Sequence, residues 1–131
     1  MAKLTSEMKA MFEKQLAVVA TASKDGIPNV GPKGSVHVVD DETLAYSEST
    51  GDKTLSNLKE NPRIAVMVMD REKADGYQIK GMVELLSSGD LFDKVVKRQE
   101  ERERGQPKYV GRIKVEEIYT VRGGVTTRKI A

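Results

Sequence analysis

The reversals in the first half of the chain leave little room between extended segments. Residues 16–23 (Leu-Ala-Val-Val-Ala-Thr-Ala-Ser) read as a strand and run into Lys24-Asp25-Gly26. Asp-Gly between two extended runs is a hairpin signal, because both residues tolerate positive φ. Residues 27–39 read as a second strand, Asp40-Asp41-Glu42 reverses the chain, and residues 43–47 read as a third. Links this short join antiparallel neighbours, since a parallel crossover needs roughly a dozen residues or more. A doubly wound parallel sheet is therefore excluded.

The second segment is broken by Pro28, Gly31, Pro32 and Gly34. Proline cannot donate to a ladder, so this strand is expected at an edge, bulged or irregular at its start, and regular again from Ser35. Residues 64–69 (Ile-Ala-Val-Met-Val-Met) are apolar on both faces and predict a central strand. Residues 77–86 alternate, with Tyr77, Ile79, Val83 and Leu85 on one face and Gln78, Lys80 and Glu84 on the other. In residues 110–121, Ile113 and Val115 share a face but Ile118 is out of phase, so a bulge is expected at Glu116-Glu117.

Three helices complete the pattern. Leu4, Met8, Met11, Phe12 and Leu16 make one apolar helical face with Thr5 or Ser6 as N-cap. A short helix over residues 53–60 has Asp52 as N-cap and Leu55 and Leu58 facing inward, and Asn61-Pro62 ends it. A third covers about residues 89–103, with Leu91, Phe92, Val95 and Val96 as its stripe. The run from Lys97 to Arg104 reads as its solvated continuation. The expected architecture is mainly β (α+β in accounting): one domain over residues 1–131, a six-stranded barrel with flanking helices.

Composition removes much chemistry. The 131 residues contain no Cys, no Trp and one His, so no thiolate, disulfide or Cys-ligated metal is available. A net charge of +2, from 22 basic and 20 acidic residues, gives no electrostatic case for nucleic acid. A nucleic-acid barrel would have to use Lys33, Lys53, Lys80 and the basic tail, with two Phe and four Tyr for stacking. No apolar run approaches a membrane span and residues 1–10 carry no signal-like core, so a cytoplasmic protein is expected, away from membranes. His37, on an apolar strand without an acidic partner at readable spacing, reads as structural.

Two segments have the chemistry of an anion site. Ser49-Thr50-Gly51-Asp52-Lys53-Thr54 leads into a helix, where unpaired N–H groups and a positive dipole end suit phosphate. Gly31-Pro32-Lys33-Gly34-Ser35 lets backbone approach a ligand, with Lys33 to meet an anion. Each is also explained by ordinary structure, a capped helix and a bulged edge.

In order, however, Asp25-Gly26-x-Pro28, the third strand, and Lys53-Thr54 through Asn61-Pro62 before an apolar strand resemble the pyridoxamine 5'-phosphate oxidase-like FMN-binding split barrels. The resemblance covers about residues 10–120 and is nearest to the short single-domain prokaryotic FMN-binding type. It implies a six-stranded split barrel that binds FMN as a homodimer, two sites at the interface, each completed by the partner. It places Lys53 and Thr54 on the phosphate and Ser47, Ser49 and Thr50 along the ribityl chain or ring edge. The stretch from Gly31 and Pro32 through Lys33 to Ser35 would run along the ring, and Gln78 would make a polar contact from the fifth strand. The helix at 89–103 and the tail from residue 122 to 131 would face the partner. A deazaflavin or haem in the same barrel is the alternative cofactor. The family's second-strand Arg aligns near Gly34, with Lys33 as a partial substitute, and its Trp-bearing substrate motif has no counterpart here, so the expected function is flavin-based redox chemistry, as carrier or as reductase/oxidase, without pyridoxamine-phosphate oxidation. Catalytic residues and the redox partner stay unassigned.

Overall fold

The structure is a computed structural model describing residues 2–49, 51–122 and 125–131. Among them are eight strands and three helices: α1 (Ser6–Lys14), β1 (Ala17–Ala22), β2 (Pro28–Pro32), β3 (His37–Asp40), β4 (Thr43–Glu48), α2 (Lys53–Glu60), β5 (Arg63–Asp70), β6 (Asp75–Leu86), α3 (Asp90–Glu101), β7 (Tyr109–Arg122) and β8 (Val125–Lys129). Every pairing is antiparallel, in the order β2-β1-β5-β6-β7-β4-β3, with β8 added to β7. The sheet curls as a split barrel and does not close.

Two strands exceed the expected six. The segment expected as one irregular strand is two, at opposite edges of the sheet. Lys33 N–H makes the last bond towards β1, to the Ala17 carbonyl at 2.9 Å. Pro32 has no N–H to extend a ladder, and a turn at residues 33–36, with Val36 N–H on the Lys33 carbonyl, carries the chain across to β4. The other additional strand is β8. The tail pairs with β7 of its own chain, and α3 packs on β4 and β7 through Val95, Leu91 and Phe92 against Ala45 and Val110.

The core is the inner face of the sheet. Leu44, Tyr46, Val66, Ile79, Ile113, Val115 and Ile118 are fully enclosed there, and Met8 and Phe12 of α1 close one side. Thr5 caps α1, its hydroxyl accepting from Met8 N–H. The helix stops at Lys14, so Leu16, expected on its apolar face, lies beyond it and is exposed. The expected bulge is present: Lys80 pairs with Glu117 and Gly81 with Val115, leaving Glu116 unopposed and returning Ile118 to the core face. A Cβ at Gly81 would stand 2.1 Å from the Lys114 carbonyl oxygen, so the bulge needs glycine there.

Candidate functional site

The end of β4 and the 33–36 turn meet because β3 and β4 are hairpin neighbours. Ser35 Oγ accepts from Ser47 N–H at 3.0 Å and donates to the Ser47 carbonyl at 3.3 Å, which locks the two segments together. Beside this lock lies a cleft of about 270 Å³. Lys33, Gly34, Ser35, Ser47 and Ser49 form one wall. Gln99, Arg102 and Arg104, from the end of α3 and the turn after it, form the other.

Beneath the cleft sits Glu48, which alternation along β4 turns inward and which is fully buried. Its Oε1 accepts from Lys33 Nζ at 3.1 Å and its Oε2 from Gly51 N–H at 3.4 Å. Lys33 Nζ also lies 5.4 Å from the centre of the Tyr46 ring, a cation–π distance. That ring covers Gly111, where a Cβ would stand 2.0 Å from the ring edge. The Tyr46 hydroxyl is buried without a hydrogen-bond partner among the described residues. Burial first, then the charges of Glu48 and Asp52, pushes its pKa well above the ordinary phenol value, so it stays protonated. Lys33 is thus not a free cation: it neutralises a buried carboxylate. Its ammonium has three N–H donors, so it can hold Glu48 and still donate into the cleft that it lines.

His37 stands behind the lock, with Nδ1 2.8 Å from the Ser35 carbonyl. Burial lowers its pKa, the Ser35 bond opposes this, and the Arg98 and Arg102 charges lower it further. This is the structural role that its sequence context suggests.

At the start of α2, Asp52 accepts from Thr54 N–H at 3.1 Å. The chain's own carboxylate therefore takes one of the helix-end donors expected for an anion. Lys53 is exposed and Thr54 is buried. Ser49 lines the cleft, and Thr50 lies outside the described residues. Asn57 Nδ2 donates to Thr21 Oγ1 at 3.1 Å in the interior, seating α2 on β1.

The remaining expected residues lie elsewhere within one chain. Gly31 and Pro32 are on edge strand β2, with open space where a Gly31 Cβ would be. Gln78 is on the outer face of the sheet, in register with Met67 and Tyr119. Glu48, Gln99, Arg102 and Arg104 were not among the residues expected at a site. Only the last three carried a signal, as part of the charged run.

A family model for pyridoxamine 5'-phosphate oxidase matches residues 4–122. The chain belongs to that family. An uncharacterized protein of Methanocaldococcus jannaschii is 33% identical over 135 residues, 98% of this chain and 87% of that one. The crystal structure of HupZ from group A Streptococcus is 37% identical, with a TM-score of 0.90, covering 98% of this chain and 99% of its own. An FMN-binding protein of Syntrophomonas wolfei, at 20% identity and a TM-score of 0.76, covers 87% of this chain and 83% of its own, and shares the fold. No helix among the described residues is long and apolar enough to cross a membrane.

Proposed function

We propose that this member of the pyridoxamine 5'-phosphate oxidase family is an FMN-binding flavoprotein acting as a homodimer. The observation that carries this reading is the cleft where Lys33, Ser35, Ser47 and Ser49 converge, within the segment matched by the family model. Family membership and the fold shared with an FMN-binding protein support it. The donors that line the cleft fit a phosphate-bearing polyol: hydroxyls at Ser47 and Ser49, the Lys33 ammonium and backbone at Gly34.

In this reading Lys53 and Thr54 hold the phosphate, Ser47, Ser49 and Thr50 face the ribityl chain or ring edge, and residues 31–35 run along the ring. FMN, when bound, supplies reversible electron and hydride transfer. Lys33 serves as a shared donor, because withdrawing it would leave Glu48 buried and unpaired. The outer face around Gln78 is the surface for a second copy. By register it carries Val18, Ala20, Val30 and Met67, and Val30 and Met67 are exposed. Gln78 on that face would serve the partner's site.

The test is a flavin titration of the purified full chain, read by absorbance and by quenching of flavin fluorescence. FMN should bind more tightly than riboflavin. Lys53→Ala should weaken FMN by about 1–3 kcal/mol, the range for a hydrogen bond to a charged group, and leave riboflavin unchanged. A chain that binds neither flavin refutes the proposal. Anaerobic bleaching by NADH or NADPH faster than that of free FMN would mark a reductase rather than a carrier.

A further inference from the structure

The charged run that the sequence presents as a solvated helix end is not wholly solvated. Gln99 is 8% exposed and lines the cleft, where its amide can offer N–H donors. After Gln99 the chain turns back sharply. Glu103 N–H bonds the Glu100 carbonyl at 3.0 Å and Arg104 N–H bonds the Gln99 carbonyl at 2.8 Å. The turn requires φ +57° at Glu103, a left-handed conformation that a residue with a Cβ adopts at a cost. Its result is to bring Arg104 beside Arg102 on the cleft wall facing Ser35, Ser47 and Ser49.

Neither arginine belongs to any of the four ion pairs among the described residues. Glu101 and Glu103 on the same turn are exposed and form no pair with them, and Glu48 beneath is held by Lys33. Two guanidiniums outside those ion pairs, the Gln99 amide and the hydroxyls of Ser47 and Ser49 make a donor-rich cleft. At about 270 Å³ it is smaller than the roughly 300–1,000 Å³ of sites that enclose a drug-sized ligand. It suits the polar end of a molecule whose ring system extends beyond it.

We propose that Gln99, Arg102 and Arg104 are an oxyanion-binding wall that holds a phosphate or carboxylate group against Ser47 and Ser49. This deepens the flavin reading, and rests on it only for the identity of the cleft. The oxyanion belongs either to the cofactor itself or to a separate small acidic ligand.

Isothermal titration of the full chain with inorganic phosphate tests it, comparing wild type with the double variant Arg102→Gln/Arg104→Gln. Both positions are exposed, so the fold should persist, which a melting curve verifies. Phosphate should bind wild type and lose about tenfold or more in the variant, the scale of losing charge-assisted hydrogen bonds. Lys24→Gln/Lys73→Gln, which removes the same charge elsewhere, should leave binding unchanged. Flavins then separate the two sources. A variant that loses FMN affinity but keeps riboflavin affinity assigns the oxyanion to the cofactor. A variant that loses phosphate but keeps FMN assigns it to a separate ligand. Phosphate that fails to bind wild type, binds both proteins equally, or is lost equally in the lysine control overturns the proposal. A wild-type chain that binds phosphate and no flavin refutes the flavin reading alone.

Discussion

Glu48 and Lys33 show how a single buried charge organises its surroundings. A carboxylate with no exposure is tolerable only if it is paired and hydrogen-bonded, and Lys33 with Gly51 N–H provides this. Lys33→Ala should therefore cost about 3–5 kcal/mol in denaturant unfolding, because it strands the carboxylate, whereas Lys33→Met with Glu48→Leu should recover most of that loss. Loss of a fraction of a kcal/mol in the single variant would mean that water reaches Glu48. His37 adds a pH dependence. Its imidazole takes a proton less readily in the folded chain, through burial first and the neighbouring guanidiniums after it, than at the ordinary value of 6.5. Below that value the unfolded chain binds more protons than the folded one, so stability present above it is lost as pH falls towards the folded pKa. His37→Gln should lose less stability than wild type between about pH 7.5 and about pH 5.5, as read from melting curves. Neither role is legible in the sequence in full. His37 could be read as structural from its apolar neighbours, but Glu48 shares the inward face with Leu44 and Tyr46 only by alternation, and a carboxylate between two serines at a strand end ordinarily faces water.

At the scale of elements, periodicity and caps placed all three helices and the bulge. Thr5 and Asp52 cap α1 and α2 as their positions predict, and the phase change between Val115 and Ile118 located Glu116. The division of residues 27–39 was not legible. Pro and Gly announce an interruption there, but which edge each half joins depends on β1 and β4, the partners that supply the hydrogen bonds. The end of α3 was misjudged for a related reason. Alternating charges at helical spacing normally face water, and only the packing of α3 on β4 and β7 turns Gln99 inward. The turn after it carries strain that can be measured. Glu103→Gly should raise stability by about 0.5–1 kcal/mol, since glycine adopts positive φ without steric cost. A loss on that substitution would show that Glu103 contributes more than backbone conformation.

For the whole molecule, the open sheet leaves an outer face that the chain's own helices do not cover. Val30 is 68% exposed and Met67 36%, and register places both on one surface with Val18 and Ala20. If two copies pair through this face, as proposed, Val30→Lys with Met67→Lys should elute as a monomer where wild type elutes as a dimer. A wild-type chain that stays monomeric at every concentration would count against the pairing. Short reversals, alternation and the position of a few prolines determined from sequence alone that the chain is antiparallel and mainly β, because these are local or periodic properties, while the split barrel was implied by the resemblance of its motifs to a known family. What the tertiary structure alone decided is which side chains share a space. Residues 33–35, 47–49 and 99–104 are far apart along the chain, and they meet only because β3 pairs with β4 while α3 packs behind it. Such a meeting depends on hydrogen bonds and burial between distant segments, and no local pattern encodes it.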